Sequence, residues 1–196
     1  MSAAFHDLAF TPSVQAEQER HGSREAYRRA RGSGPADGRL GPEEQAFIAG
    51  RDHFYLATVS ETGWPYVQHR GGPPGFIRAI DARTLAFVEL TGNRQYVTAG
   101  NASGNPRSAL LFMDYAAQAR LKVLATLRYE PLEARPDLVK ALLEGAGRKR
   151  AERLVLLEVA AFDWNCPKGI TPRYTAQEVE RAVEPLRARI RELETK

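Results

Sequence analysis

The sequence predicts a mainly β protein, a barrel or sandwich of short antiparallel strands with helices added at both ends. Apolar runs rich in strand-forming residues recur between residues 54 and 164, and tight turns separate most of them. Short strands joined by tight turns favour a barrel or sandwich over a parallel sheet. Neither a GxGxxG loop after a strand nor a GxxxxGK[ST] loop occurs, which disfavours the dinucleotide and nucleoside triphosphate folds.

Length and composition are those of a globular protein. The chain has 196 residues, of which 43% are hydrophobic and 27% are charged, which fits one domain with helical additions. Its longest apolar runs, SALLFM and RLVLLEVAAF, are far shorter than the roughly 20 residues of a membrane-spanning helix. The N-terminus lacks the basic stretch and apolar core of a signal peptide. We therefore expect no membrane contact and a cytoplasmic location.

Cysteine content and charge narrow the function classes further. The single cysteine, Cys166, excludes an intramolecular disulfide and a zinc site made of several cysteines. The formal net charge of +4 and the pI near 9.4 reflect a modest basic excess, because acidic residues alternate with arginines along most predicted helices. The basic runs RRARG and RKRAER lack the interleaved aromatic residues of a single-strand binding surface. We expect no nucleic-acid partner.

Residues 1–41 are predicted to form an N-terminal extension of helix and loop. Ser13 is the predicted N-cap of a polar helix over residues 14–31, because its hydroxyl can accept from the first unpaired N–H groups. Gly22 is the predicted break in this helix. A helix this polar buries little, so we expect it on the surface or against a second subunit. The glycines and proline of residues 32–41 predict a loop.

Residues 42–165 are predicted to form the barrel domain, opened by a short helix that begins at Pro42. The predicted strands cover residues 54–60, 64–70, 75–81, 84–90, 107–114, 121–129 and 153–164. Two further helices are predicted inside this domain, over residues 94–102 and 135–150.

Residues 166–196 are predicted to form a C-terminal loop and a helix that packs on the barrel or on a partner subunit. Thr175 is the predicted N-cap of this helix. Pro185 should kink it, because proline removes one helical hydrogen bond and clashes with the preceding turn.

Two polar clusters follow two apolar strands, at residues 68–70 and 93–95. Arginine offers a planar fork of donors that suits phosphate oxygens, and it keeps its charge. We therefore predict that Arg70 and Arg94 bind a phosphate. Gln68 and the N–H groups at the start of the helix after Arg94 would assist, since helix N-termini favour anions. The alternative is that both arginines form surface ion pairs.

His69 and Gly71 flank Arg70 and allow two interpretations each. Neighbouring side chains on a strand point to opposite faces, so His69 should oppose Gln68 and Arg70 and is either structural or a ligand contact. Gly71 begins the run GGPPG, which either lets the backbone approach a flat ring or is a long turn. No HExxH motif, cysteine cluster or paired carboxylates support a metal or hydrolytic site.

The runs QHRGGPPGFIRAID, GNRQYVTAGN and NPRSALLFMDY, in this order and spacing, resemble the FMN-binding split-barrel group related to pyridoxamine 5'-phosphate oxidase. The resemblance covers roughly residues 54–129. The later run DWNCPKGITPRYT is similar to the C-terminal segment of a bacterial subgroup of flavin-nucleotide-binding proteins in that family. The resemblance implies a six-stranded antiparallel split barrel with Greek-key topology and flanking helices. It also implies a homodimer with FMN in each of two clefts between subunits.

The resemblance implies cofactor-binding residues as well. In the family, the segment after the fourth strand wraps the FMN phosphate and ribityl chain, and its polar residues here are Asn93, Arg94, Gln95, Tyr96 and Asn101. This chain lacks the Ser-Arg-Lys that better-known oxidases carry there, and Thr98 and Asn101 occupy that region instead. The segment that contains Trp164 and Arg173 resembles the one that approaches the flavin of the partner subunit. The alternative for Trp164 is a core residue that closes the last strand.

The function that we favour from the sequence is an FMN-dependent oxidoreductase that acts on a small molecule. Its reductant would be a reduced nicotinamide or an electron-transfer protein, and its catalytic residues stay unassigned, because the flavin carries the redox chemistry. Vitamin B6 oxidation is disfavoured, because the residues that hold the substrate phosphate in that enzyme are not recognisable here. The alternative is a non-catalytic flavin or haem carrier, or a redox partner of an electron-transfer protein.

Overall fold

The computed structural model describes residues 2–31, 37–144, 150–164 and 168–194. Within these residues the strands are β1 (His53–Val59), β2 (Pro65–Gly71), β3 (Ile77–Ala79), β4 (Thr84–Leu90), β5 (Arg107–Asp114), β6 (Ala119–Glu130) and β7 (Ala151–Trp164). The helices are α1 (Ala3–Ala9), α2 (Pro12–Arg20), α3 (Arg24–Ala30), α4 (Pro42–Ala49), α5 (Val97–Gly104), α6 (Pro136–Leu142) and α7 (Ala176–Glu194). No helix in the described ranges is long and apolar enough to cross a membrane.

The strands form one antiparallel sheet in the order β2-β1-β5-β6-β7-β4-β3. The predicted mainly β, antiparallel architecture is therefore confirmed. The described sheet has the seven strands that the residue pattern predicts, where the family resemblance implied six. The edge strand β3 pairs with β4 over three residues. It is shorter than predicted, because Gly75 has a φ of +85° in the turn that precedes it.

The sheet curls around its main core, which receives side chains from six of its strands. Four phenylalanines form the centre of this core, with the ring of Phe54 lying between 5.3 and 5.8 Å from those of Phe76, Phe87 and Phe112. Such ring pairs add to the roughly 1.5–3 kcal/mol that burial of each large apolar side chain contributes. On the outer side of β4 and β7, α6 covers a second apolar cluster.

The N-terminal extension differs from the prediction in its helices. The predicted N-cap Ser13 is wrong, because α2 begins at Pro12 and Thr11 is its N-cap. The predicted break is confirmed, since Gly22 has a φ of +72° between α2 and α3. The sequence did not predict α1, whose N-cap Ser2 accepts a hydrogen bond from the N–H of Phe5 at 3.1 Å and donates one to the carbonyl of Phe162 in β7.

Two of the later helices are shorter than predicted. The helix α5 starts at Val97 and not at Arg94, because Arg94 and Tyr96 have φ values of 60° and 53°, which no right-handed helix contains. The helix α6 ends at Leu142, and residues 145–149 of the predicted helix lie outside the described residues, as do residues 165–167 of the predicted loop.

The predicted cap of α7 is confirmed. The hydroxyl of Thr175 accepts from the N–H of Glu178 at 3.2 Å, and the carboxylate of Glu178 accepts from the N–H of Thr175 at 2.7 Å. This reciprocal pair satisfies two N–H groups at the helix start. Pro185 lies inside α7, and the helix continues to Glu194.

Glu44 joins α4 to the end of β7. One of its carboxylate oxygens accepts from the backbone N–H of Gly41 at 2.9 Å, and the other accepts from the indole N–H of Trp164 at 2.7 Å. The Trp164 ring also meets the Phe47 ring edge to face, with 4.7 Å between centroids. Glu44 is 9% exposed, so its carboxylate depends on these two donors.

We predict that Trp164→Phe lowers the free energy of unfolding by about 1.5–3 kcal/mol, because it removes a hydrogen bond to a charged group. Urea denaturation followed by circular dichroism measures this change. The matched control is Trp64→Phe, whose side chain is 76% exposed and should leave the unfolding free energy unchanged. Equal stabilities of the two variants would contradict the structural role of Trp164.

Candidate functional site

A pocket of about 280 Å³ lies between β2, the end of β4 and the first turn of α5. It is lined by Tyr66, Gln68, Arg70, Glu89, Leu90, Thr91, Gly92, Asn93, Arg94, Gln95, Tyr96, Val97, Thr98, Ala99 and Glu152. Six of the site residues predicted from the sequence are among them: Gln68, Arg70, Asn93, Arg94, Gln95 and Tyr96. The structure thus brings the two predicted polar clusters together.

A buried carboxylate connects two arginines at this pocket. The side chain of Glu89 is 8% exposed, and its two oxygens lie 2.8 Å from Nη2 of Arg70 and 2.6 Å from Nε of Arg153. Glu89 and Arg153 are directly opposite each other on the paired strands β4 and β7. Arg70 belongs to β2, which does not pair with β4, so its ion pair crosses the unpaired side of the curled sheet.

Aromatic rings hold Arg153 in place. Its guanidinium carbon lies 4.1 Å from the centroid of the Tyr129 ring and 5.2 Å from that of the Tyr96 ring, which are distances typical of cation–π contacts. Burial, reinforced by the negative charge of Glu89, raises the pKa of Tyr129 to about 12. Tyr129 is therefore a neutral phenol at physiological pH.

Three buried polar atoms near this network have no hydrogen-bond partner among the described residues. They are Nε of Arg70, the hydroxyl of Tyr129 and one carboxylate oxygen of Glu152. A buried polar group without a partner costs roughly 1–3 kcal/mol, and more if it is charged. Arg70 uses Nη2 for both Glu89 and the hydroxyl of Thr98, and its Nε–H has no partner among the described residues. Unpaired donors of this kind mark sites where a ligand or water binds.

The loop before α5 adds further donors. Gly92, Arg94 and Tyr96 all have left-handed backbone conformations, with φ values of 50°, 60° and 53°. For residues other than glycine this conformation costs on the order of 1–3 kcal/mol and is concentrated at functional sites. Alternating backbone conformations of this kind turn N–H groups toward one concavity that suits an anion. The side-chain oxygen of Asn93 accepts a hydrogen bond from the N–H of Gln95 at 3.2 Å, so it is already bonded within the loop.

The first turn of α5 also contributes to the pocket. Thr98 and Ala99 line it, and no side chain caps the helix start. The N–H groups and positive dipole end of such a turn favour negative charge. The predicted helix N-terminus is thus at the site, although it lies three residues later than predicted. Arg94 itself is exposed at the rim, where a hydrogen bond with Tyr96 raises the pKa of Arg94.

The structure places His69 and Gly71 in an adjoining pocket of about 210 Å³, which shares Arg70 and Glu89 with the first. The His69 ring stacks on that of His53, with 5.7 Å between centroids. Strand alternation thus directs His69 away from Gln68 and Arg70, as the sequence predicts.

Three predicted residues lie outside both pockets. Asn101 is buried and donates to the hydroxyl of Thr58 in β1 at 3.0 Å. Trp164 binds Glu44, as described above. Arg173 stacks on the Tyr115 ring at 5.0 Å and lines a third pocket of about 370 Å³. The roles of Trp164 and Arg173 at a partner's flavin stay predictions.

Sequence reasoning missed Glu89, Arg153 and Tyr129. One signal could have identified Glu89: in the strand TLAFVEL it occupies the same face as Leu85 and Phe87, so strand alternation places a carboxylate where core residues stand. A charge at such a position requires a buried partner. The sequence does not show which distant arginines supply it.

Comparison with known proteins gives a family and a fold. The family model described as pyridoxamine 5'-phosphate oxidase matches residues 40–164, nearly two thirds of the chain. Among solved structures, HupZ of Group A Streptococcus is similar with a TM-score of 0.54 and 17% identity, over 68% of this chain and 99% of that one. An FMN-binding protein from Syntrophomonas wolfei gives a TM-score of 0.49 and 13% identity, over 62% of this chain and 83% of that one. No curated protein sequence matches the chain.

The range of the family model begins at Leu40, just before α4, and ends with β7 at Trp164, so it spans the whole sheet. The likeness to HupZ agrees with this and supports the same fold. The curled antiparallel sheet is the split barrel of the family, and the chain belongs to the pyridoxamine 5'-phosphate oxidase family.

Proposed function

We propose that this protein is an FMN-binding flavoprotein, and that it acts as an FMN-dependent oxidoreductase on a small-molecule substrate. The observation that carries the proposal is the partly buried Arg70, whose Nε–H is unpaired within the described chain, in a pocket formed by the segments that resemble the FMN-binding segments of the family.

The residues of the pocket fit a phosphate group. Arg70 is held by Glu89 and Thr98, so its free donor is fixed before a ligand arrives, and such preorganisation lowers the entropy cost of binding. The N–H groups of the left-handed loop and of the first turn of α5 supply neutral donors. These donors would take the place of the lysine in the Ser-Arg-Lys of better-known oxidases, which this chain lacks at that position.

The charges of the site also suit a dianion. Arg70, Arg94 and Arg153 carry three positive charges, and Glu89 and Glu152 carry two negative ones. Glu89 offsets one positive charge through its pairs with Arg70 and Arg153, and the site keeps an excess of one positive charge. A phosphate at Arg70 would therefore meet a net positive surface with N–H donors, which is how proteins recognise phosphates.

FMN would supply hydride or electron transfer, and the protein would bind and orient it. Arg70 and Arg94 would hold the phosphate end. Tyr129, whose pKa is about 12, would stay neutral beside Arg153 and would not act as a base. A reduced nicotinamide or an electron-transfer protein would supply the electrons.

We further propose that the protein is a homodimer whose subunits meet through the outer face of β2, β1, β5 and β6. This face has a shallow hollow of about 510 Å³, and its outward residues include Tyr55, Ala57, Val67, Leu111 and Leu124. Val67 is 60% exposed. A contiguous apolar sheet face of this kind marks an interface. In contrast, α6 covers the outer face of β4 and β7.

We predict that Arg70→Ala weakens FMN binding roughly 10- to 100-fold, because it removes a charged hydrogen bond worth about 1.5–3 kcal/mol. Arg94→Ala should give a smaller loss, because Arg94 is exposed. The dissociation constant is measured by titration, using the flavin absorption bands and the fluorescence of FMN. Arg20→Ala on α2 is the control, since Arg20 lines none of the pockets described above.

Melting temperatures of the three arginine variants separate lost binding from lost folding. If folded Arg70→Ala binds FMN as tightly as the control does, the phosphate site is not at Arg70.

We predict that Val67→Glu converts the homodimer to a monomer, because a charge in an apolar interface is desolvated without a partner. Light scattering coupled to gel filtration measures the mass. Val14→Glu adds the same charge at a 36% exposed position on α2 and should leave the mass unchanged. An unchanged mass of Val67→Glu would place the interface elsewhere.

A further inference from the structure

The helix α7 carries an apolar stripe that nothing in the described structure covers. None of the residues of this 19-residue helix is buried. The stripe consists of Val179, Val183, Leu186, Ile190 and Leu193. Leu186, Ile190 and Leu193 are 64%, 54% and 56% exposed. In contrast, α4 buries Ile48 and α6 buries Val139 and Leu142.

The spacing of the stripe is that of a coiled coil. Its members are separated alternately by four and three residues, so they occupy successive a and d positions of a heptad pattern. Such a seam fits another helix with the same repeat better than it fits a flat sheet. Pro185, which lacks an N–H donor, and Arg181 lie on the far side of α7 from the seam, so neither obstructs a partner helix.

The charges beside the seam favour a second α7 in the opposite direction. With Val183 facing the partner's Leu186, Val179 faces the partner's Ile190, and four apolar layers form. In this register Glu180 and Arg187 occupy the same flank of the seam, so Glu180 lies beside the partner's Arg187 and Arg187 beside the partner's Glu180. Two opposite-charge contacts result, and charges at these positions set the orientation and partner choice of coiled coils.

We propose that α7 pairs with the α7 of a second copy of this chain in an antiparallel coiled coil. The interface is separate from the outer sheet face and does not involve the cofactor pocket, so the proposal stands if FMN does not bind. Within one chain Glu180 and Arg187 already form an ion pair along the helix, and in the paired state each also has a partner across the seam.

The first experiment uses charge reversal in the full chain, with Glu180→Arg and Arg187→Glu made separately. Each variant alone puts like charges at both cross-seam contacts, so its self-association should weaken about ten-fold. Mixing the two variants puts opposite charges at both contacts and should restore association as a heteromer, seen by native mass spectrometry and sedimentation. Within each chain residues 180 and 187 remain like-charged, so restoration reports only the contact between chains. Absence of restoration overturns the antiparallel pairing.

The second experiment tests the apolar seam. Leu186→Glu should weaken self-association, whereas Ala188→Glu, on the side of α7 away from the seam, should not. Circular dichroism confirms that both variants fold. If Leu186→Glu associates as the control does while Val67→Glu dissociates, the α7 pairing is wrong and the sheet-face dimer stands. Loss of association in Leu186→Glu with unchanged FMN affinity supports the pairing and leaves the cofactor proposal intact.

Discussion

The rest of the site depends on the two ion pairs made by the buried carboxylate of Glu89. The sheet order leaves β2 at one edge and β4 near the other, so no backbone ladder joins them. Glu89 bridges this opening by binding Arg70 of β2 and Arg153 of β7. A buried ion pair gains little net stability, but loss of one partner is costly because a bare charge remains. The bridge thus fixes the position of Arg70 more than it strengthens the fold.

This arrangement explains how Arg70 can be held in place and still have an unpaired donor. The Nη2 atom of Arg70 contacts both Glu89 and Thr98, and its Nε–H has no partner in the part of the chain that the structure describes. At the other end of the bridge, the rings of Tyr129 and Tyr96 stack on Arg153 and hold it in place. The left-handed loop and the uncapped start of α5 line the same pocket as Arg70, and N–H groups in such conformations favour an anion. These features together form the recess in which we propose that a phosphate binds.

The sequence predicted those features that arise from local chemistry. Strand periodicity located the long strands, Thr175 marked the cap of α7, and Gly22 marked a helix break. The start of α5 could not be predicted, because the left-handed conformations belong to Arg94 and Tyr96, residue types that do not signal them. The partners of Glu89 could not be predicted either, because their contacts depend on how the sheet curls and not on the local sequence pattern.

Comparison of FMN with riboflavin tests the central claim most directly, because the two ligands share the flavin ring and ribityl chain and differ in the phosphate. The measurement is a fluorescence titration of the unmodified protein with each ligand at several salt concentrations. We expect FMN to bind more tightly than riboflavin, with a preference that decreases as salt screens the charged contacts. Equal affinities, or no binding of FMN, would contradict a phosphate site at Arg70.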